Sequence, residues 1–443
     1  MFTYVKLKNF MSFGEVTFDF KKKAGEAKPL VAIYGENGSG KSNFVRSIEL
    51  LCRLMDSYDN SINFEKVVEQ IQNEKGTPPE DFLNAIKDYD INHFISSCRM
   101  VECQEPTEIE YGFILNENEC YYKISFEKEI VGETLYCLCG SQRGTMFDIS
   151  KKETEISSKF YSKLFANNNV KKQIEEDVEK FWGKHTFLSI LVHHMSEKNS
   201  NYIKENLSSN LLDVIDCFRG ISVVAKRGNR QNSGILAKKP NLSKIDMRSG
   251  IISKDDVEIL NIAEKILNDF FTQAYADIKR ISYEKKSYKN NSVKYQLYVD
   301  KMIAGKIRRI NFEHESAGTQ QILDIIRMLL GVFCGVTVVY DEIDNGIHDL
   351  ILNNIIKSLA DYITGQLIIT THNTMLLETL NVHGSYVICV DYMGNKEVRC
   401  LDEFPIQATN NIRNLYIKGL FGGVPFVEEI DYDHIVEKIK VGG

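Results

Sequence analysis

Residues 35–42 read Gly-Glu-Asn-Gly-Ser-Gly-Lys-Ser, a complete G-x-x-x-x-G-K-[ST] loop. The loop follows the apolar run Leu30–Tyr34 and leads into Asn43–Leu54, which has helical periodicity. A strand–loop–helix of this kind is a phosphate cradle. Gly35, Gly38 and Gly40 let successive backbone N–H groups, those of Glu36, Asn37 and Ser39 among them, curl around phosphate oxygens. The helix N-terminus adds partial positive charge. Lys41 is expected to reach the β- and γ-phosphates and Ser42 to sit on Mg²⁺, with Asn43 completing the nucleotide-contacting set. The loop therefore implies a nucleoside triphosphate.

A Mg²⁺-bound triphosphate needs a carboxylate, and the chain offers one far downstream. Val336–Tyr340 is a continuous β-rich run, the mark of a strand buried on both faces. It ends in Asp341-Glu342. Carboxylates at the C-terminal end of such a strand lie where α/β sheets place their ligands. Asp341 is positioned to hold Mg²⁺ and Glu342 to polarise an attacking water as general base. A second buried run, Gln366–Thr370, is followed by Thr371-His372-Asn373. His372 is expected on the same sheet edge, where a neutral imidazole can contact the γ-phosphate. Upstream, Glu315–Gln320 precedes the apolar helix Ile322–Val332. Its Ser316, Gly318 and Thr319 offer hydroxyls and small residues at a helix start, a second anion site.

Net charge is −7, which argues against a nucleic-acid binder that is basic all over. The balance is uneven. Residues 221–310 carry nineteen Lys/Arg against nine Asp/Glu, so this stretch is +10 and the remainder −17. It is a candidate patch for an anionic partner such as nucleic acid. No run approaches the ~18 apolar residues of a membrane helix. The N-terminus alternates like a strand rather than reading as a secretion signal. A cytoplasmic protein with free thiols is expected; Cys137-x-Cys139 reads as two same-face packing thiols.

Along the chain, residues 1–20 alternate as two strands with a turn at Gly14. Residues 56–95 are polar and helical in pieces, with a break at Thr77-Pro78-Pro79. Residues 108–149 alternate as an antiparallel meander, and from 150 to about 218 the pattern turns helical. Residues 225–250 read as a mobile loop, Lys254–Arg280 as an amphipathic helix, and Val293–Val299 and Lys306–Phe312 as strands.

In this order the pieces resemble the ABC-type ATPases of the RecF/SMC/OLD group. Gly35–Ser42 resembles the Walker A loop, Ser316–Thr319 the signature motif and Val336–Glu342 Walker B with its catalytic glutamate. Ile343–His348 resembles the D-loop, Thr371-His372 the switch histidine and Leu7–Phe13 the group's first strand. Ala317 and Thr319 depart from the transporter signature. The Q-loop glutamine, a Mg²⁺ ligand in the group, falls best on Gln104.

The resemblance implies an α/β head with a mixed or parallel P-loop sheet, an antiparallel β subdomain and a helical insertion. Its parts would be 1–149 and 286–400 for the head, 150–285 for the insertion and 401–443 for a C-terminal extension. It implies an ATPase using ATP and Mg²⁺ that dimerises head to head, with Ser316 acting in trans. The C-terminal stretch Asn411–Pro425 resembles stand-alone ATPases of bacterial anti-phage systems of the PARIS, Septu or Rlo type. These are paired with a separate nuclease or toxin chain. The alternative is a RecF/SMC-like ATPase of DNA repair or chromosome maintenance.

Overall fold

The computed structural model describes residues 1–22, 25–73, 91–153, 155–196, 200–227, 230–237, 245–380, 382–407, 410–424, 431–433, 435–436 and 438. The expected break at Thr77-Pro78-Pro79 lies outside them, as does part of the expected loop 225–250.

The chain opens with the hairpin β1 (Phe2–Phe10) and β2 (Phe13–Asp19), then β3 (Leu30–Gly35) and the P-loop helix α1 (Lys41–Met55). Helices α2 (Ser57–Asn73) and α3 (Ile91–Cys98) lead to β4 (Thr107–Leu115), β5 (Asn118–Phe126), β6 (Ile130–Cys139), β7 (Gln142–Lys152) and β8 (Glu155–Phe160). A helical run follows: α4 (Asn168–Phe181), α5 (Phe187–Ser196), α6 (Ser200–Glu205) and α7 (Ser209–Arg219). Then come β9 (Ile221–Arg227), β10 (Arg230–Ile235), β11 (Ser249–Ser253), α8 (Val257–Ala274), β12 (Ile278–Tyr288), β13 (Ser292–Ile303) and β14 (Lys306–Asn311). The last part holds α9 (Ala317–Phe333), β15 (Thr337–Tyr340), α10 (Asp349–Leu359), β16 (Gln366–Thr370), α11 (Leu376–Thr379), β17 (Ser385–Val390), β18 (Lys396–Cys400) and α12 (Ile412–Ile417).

The central sheet has the order β10-β9-β15-β16-β3-β17-β18. Its five inner strands are parallel, and β10 and β18 close the two ends antiparallel. Strand side chains alternate between faces, and here each face has its own core. Val31, Ile33, Val339 and Ile368 join one core; Ala32, Tyr34, Val338, Tyr340, Leu367 and Ile369 join the other. Burial on both sides is why these strands read as unbroken apolar runs.

On one face, α1 lies between the central sheet and an antiparallel sheet of order β2-β1-β4-β5-β6-β7-β8. Phe44 of α1 packs on Phe18 of β2 with ring centroids 4.5 Å apart. Tyr111 of β4 donates its hydroxyl hydrogen to the Ser47 carbonyl at 2.6 Å. The buried Gln366 side chain bonds Phe2 N, Phe2 O and Lys28 O at 2.7–2.9 Å, fastening the two sheets. On the other face lie α8, α9, α10 and a small sheet of β11, β13 and β12, with β14 on β13. This is an α/β head with a largely parallel P-loop sheet, an antiparallel β layer and inserted helices.

Three expectations change. The first turn lies at Met11-Ser12, with Met11 at φ +49° and Phe10 opposite Phe13, so Gly14 is inside β2. The stretch 150–285 is not a helical insertion throughout. Helices α4–α7 and α8 lie within it, while β8 extends the antiparallel sheet and β9 returns to the central sheet beside β15. The cause is the β-rich run Ile221-Ser222-Val223-Val224-Ala225, buried against β15. The thiols are not all free. Tyr121 pairs with Tyr136, which sets Cys120 opposite Cys137 with Cα atoms 4.5 Å apart, and the two form a disulfide.

The helical run docks on the antiparallel sheet through a buried acid. Glu133 of β6 accepts from Phe187 N at 2.6 Å at the start of α5, from Trp182 Nε1 at 2.8 Å and from Tyr122 Oη at 3.0 Å. Burial pushes its pKa up to about 7, and these donors oppose the rise. The folded chain thus holds this proton more tightly than the unfolded one. Its contribution to stability is full below the unfolded carboxyl's pKa and declines as pH rises towards about 7. Thermal unfolding followed from roughly pH 5 to 8 is expected to show a decline of about 3 kcal/mol at most. Glu133→Gln, which cannot ionise, is expected to flatten it; an unchanged profile would take Glu133 out of the pH dependence.

Candidate active site

The parallel register places the ends of β3, β15 and β16 at one sheet edge. Tyr340 pairs with Ile369 and Thr370 with Ile33, so the P-loop, Asp341-Glu342 and Thr371-His372 all leave the sheet on the same side. Gly38 and Gly40 take positive φ of +81° and +113°. A side chain at Gly40 would also come within 2.6 Å of the Phe13 ring, so glycine is required there on two counts.

Lys41 is buried, and its Nζ donates to Gly35 O at 2.8 Å and Glu36 O at 3.0 Å. Burial lowers its pKa, while Glu342, Asp341 and Asp344 pull the other way. Asn43 Nδ2 donates to Ser12 Oγ at 2.6 Å, and Lys396 Nζ of β18 reaches Gly38 O at 3.0 Å.

Asp341 is 2% exposed. Its Oδ1 accepts from Thr370 Oγ1 at 2.6 Å, and the same hydroxyl oxygen accepts from Glu342 N at 2.7 Å. Burial raises the Asp341 pKa; Thr370 and the adjacent Ser42 hydroxyl work to lower it. Asp341 Oδ2 is buried without a hydrogen bond of good geometry, as is Ser39 Oγ. A buried carboxylate oxygen left over beside a serine hydroxyl is a donor set that fits a divalent cation. Glu342 lies at φ +47°, a left-handed backbone that is costly for a non-glycine residue. Lys226, at the end of β9, forms an ion pair with Glu342 Oε2.

His372 N donates to both Asp344 oxygens, at 3.2 and 3.3 Å. Burial and the nearby Lys41 lower the imidazole pKa, so the ring favours its neutral form. The edge thus collects a phosphate cradle, a cation, two acids and a neutral imidazole.

The remaining candidates lie elsewhere. Ser316 caps α9: its Oγ accepts from Thr319 N at 3.2 Å and shares a hydrogen bond with Thr319 Oγ1 at 2.8 Å. A side chain at Gly318 would come within 2.5 Å of the Gly346 carbonyl, so this segment lies against the D-loop. None of its hydrogen bonds among the described residues reaches the P-loop. Gln104 is exposed on the loop between α3 and β4, and no hydrogen bond among the described residues ties it to Ser42 or Asp341. Three contributors escaped the sequence reading: Thr370, Lys226 and Lys396. The first two close buried β runs in the same way that Asp341 does, which is a readable signal. Lys396 comes from an edge strand and has none.

A family model described as "AAA domain, putative AbiEii toxin, Type IV TA system" matches residues 30–378. The chain belongs to this family. The match takes in the P-loop, the helical run, the signature segment, both acids and His372, while Lys396 of β18 lies beyond it. No curated protein matches the sequence. Distant likenesses exist among solved structures. The SMC head domain of Thermotoga maritima is 13% identical, with 90% of this chain and 98% of that one covered and a TM-score of 0.38. An SmcHead bound to the C-winged helix domain of ScpA is 13% identical, with 91% and 99% covered and a TM-score of 0.45. The Pyrococcus furiosus Smc head with an extended coiled coil, bound to the C-terminal domain of ScpA, is 12% identical, with 91% and 97% covered and a TM-score of 0.42. Among the described residues no helix is long and apolar enough to cross a membrane.

If Asp341 and Ser42 hold the cation, ATP affinity measured by calorimetry should tighten when Mg²⁺ replaces EDTA in the wild type. The gain should be much smaller in Asp341→Asn, where Ser42 remains without the carboxylate. Equal Mg²⁺ dependence in both would remove Asp341 from the metal site.

Proposed function

We propose that the protein binds ATP with Mg²⁺ between two copies of itself, hydrolyses it, and uses closing and opening of that dimer to control a separate nuclease or toxin in anti-phage defence. The observation that carries the ATPase part is the gathering of Lys41, Ser42, Asp341, Glu342 and His372 at one sheet edge.

The P-loop amides and Lys41 hold the phosphates. Ser42 and Asp341 hold Mg²⁺, which supplies Lewis acidity at the phosphoryl oxygens when bound. Glu342 accepts a proton from the attacking water. His372, neutral near pH 7, contacts the γ-phosphate without adding charge. Ser316 and Gly318 serve the nucleotide of the partner copy, in keeping with their place against the D-loop rather than the P-loop. Nucleotide then shifts the population between open and closed assemblies by as much as its affinity for the two differs. The family description attaches a putative toxin of a type IV TA system to the AAA domain itself, which supports a second protein as partner but not, by itself, a separate toxin chain.

Glu342→Gln is expected to keep ATP affinity, lose roughly 10²–10⁴-fold in kcat, and accumulate as an ATP-bound dimer on size-exclusion chromatography with light scattering. Wild-type turnover in that variant would remove Glu342 from the mechanism. Ser316→Arg and Lys41→Ala should each be inactive. Mixed, they should regain turnover, because the mixed dimer keeps one intact shared site. Absence of rescue would count against sharing.

One observation favours a second reading, a DNA-binding ATPase. Residues 277–311 carry ten Lys/Arg against three Asp/Glu, on β12–β14. One face of that sheet is in the core through Ile281, Tyr283, Tyr295, Leu297 and Val299. The other carries Arg280, Lys286, Lys294 and Arg309, with Arg309 stacked over Tyr298 at 4.7 Å. Lys301 on the same sheet pairs with Glu315 at 3.0 Å, the residue before Ser316. Duplex affinity should then fall steeply with salt, by about 0.9 in log–log slope per neutralised phosphate. Arg280→Glu with Lys294→Glu should flatten the slope. A wild-type protein with ATP bound and no such slope would end this reading.

A further inference from the structure

β9 and β15 are parallel, with Val224 opposite Tyr340. The pairing continues past the end of β15, since Asp341 N donates to Val224 O at 2.9 Å. Two residues further along β9, the Lys226 ammonium meets Glu342 Oε2. No catalytic motif of the chain includes Lys226, yet it lies in the same charged cluster as Lys41, Asp341 and Asp344, and His372 feels its charge.

Glu342 is held in an unusual way. Its backbone is in the left-handed region at φ +47° and is pinned by the bond from its N–H to Thr370 Oγ1. Its side chain is 25% exposed, and a long carboxylate that open to water samples several rotamers unless something restrains it. Lys226 restrains one oxygen. The other, Oε1, makes no hydrogen bond among the described residues. A half-exposed ion pair of this sort adds about 0–1 kcal/mol at most to stability. Its value lies in where it puts the carboxylate.

The geometry points to Lys226 as a positioning residue: it holds Glu342 Oε2 so that Oε1 faces the phosphate site and meets the attacking water. The inference rests on the reading of Glu342 as the base. Lys226 acts through Glu342 and touches neither nucleotide nor water. A displacement of about 1 Å at a reacting group can cost on the order of 10²-fold in rate, so losing the restraint should be visible in kcat.

The test uses the full chain with Lys226→Ala, Lys226→Arg, Glu342→Gln and the Lys226→Ala/Glu342→Gln double variant. Lys226→Ala should bind a fluorescent ATP analogue as the wild type does and unfold at the wild-type temperature. It should lose roughly ten- to a hundredfold in kcat. Because its hydrolysis is slow, more of it should run as dimer in ATP on size exclusion. Lys226→Arg, which keeps the cation, should recover most of the rate, and the double variant should be no slower than Glu342→Gln alone. Wild-type kcat in Lys226→Ala with an inactive Glu342→Gln would overturn the positioning role and leave the base assignment standing. So would a matching loss of ATP affinity, or a further loss on top of Glu342→Gln. Wild-type turnover in Glu342→Gln would overturn the base assignment itself, and this inference with it.

Discussion

Thr370 Oγ1 donates to Asp341 Oδ1 and accepts from Glu342 N, so one hydroxyl fixes both acids. The strand that bears it, β16, runs between β15, which delivers the acids, and β3, which delivers the P-loop. Thr371 N continues the tie by donating to Ile33 O at 3.2 Å. The distance from Lys41 to the acids is therefore set by sheet pairing rather than by loops. Without that hydroxyl the buried Asp341 Oδ1 would lose its 2.6 Å donor, at about 1–3 kcal/mol for the lost bond. The backbone of Asp341 is held separately by its bond to Val224 O at 2.9 Å, whereas among the described residues the Glu342 N–H is held by this hydroxyl alone.

The two-sided burial of the central sheet explains what the sequence could and could not reveal. β3, β15 and β16 are covered by cores on both faces, and such strands write themselves as apolar runs with their functional residues at the end. The P-loop, Asp341-Glu342 and His372 were legible for that reason. β9 obeys the same rule, but its run sits between a helical stretch and a Gly/Asn/Lys-rich one, and the flanks masked it. The assignment of 150–285 as helical went wrong at that point, and Lys226 was lost with it. The Cys120–Cys137 pair depends on the register between β5 and β6, which no local pattern encodes. Gln104 was chosen by its place in the chain order, and chain order says nothing about which loops meet. The signature segment was legible only through its resemblance, since a serine capping a helix is commonplace.

The antiparallel sheet and the small sheet play unequal parts. The first clamps α1 from behind through Phe18, Tyr111 and the Gln366 knot, and it carries the helical run on Glu133. It makes the P-loop helix rigid. The small sheet instead feeds straight into α9, sharing a core with Phe312 and Ile322 and adding polar contacts at the junction. Lys301 meets Glu315, Gln296 meets Asn311 at 3.0 Å, and Arg248 meets Asp324 at 2.8 Å. Polar contacts of this kind break and re-form at lower cost than a packed core.

Between these layers, Asp344-Asn345-Gly346 of the D-loop connects two ends of the head. Asp344 accepts from His372 N, and Ile343 N donates to Thr370 O at 3.1 Å, which anchors the loop at the sheet edge. Two residues after Asp344, the Gly346 carbonyl presses on Gly318, where no larger residue fits. A displacement at His372 therefore has a short path, through Asp344 and Gly346, to the signature helix. Under the shared-site reading, that helix serves the partner's nucleotide. A change at one γ-phosphate would then alter the grip on the other, and by linkage the reverse must hold with the same coupling free energy. The close approach of the Gly346 carbonyl to Gly318 gives that coupling a path, because a shift of this exposed loop towards α9 meets backbone and not a side chain that can turn away.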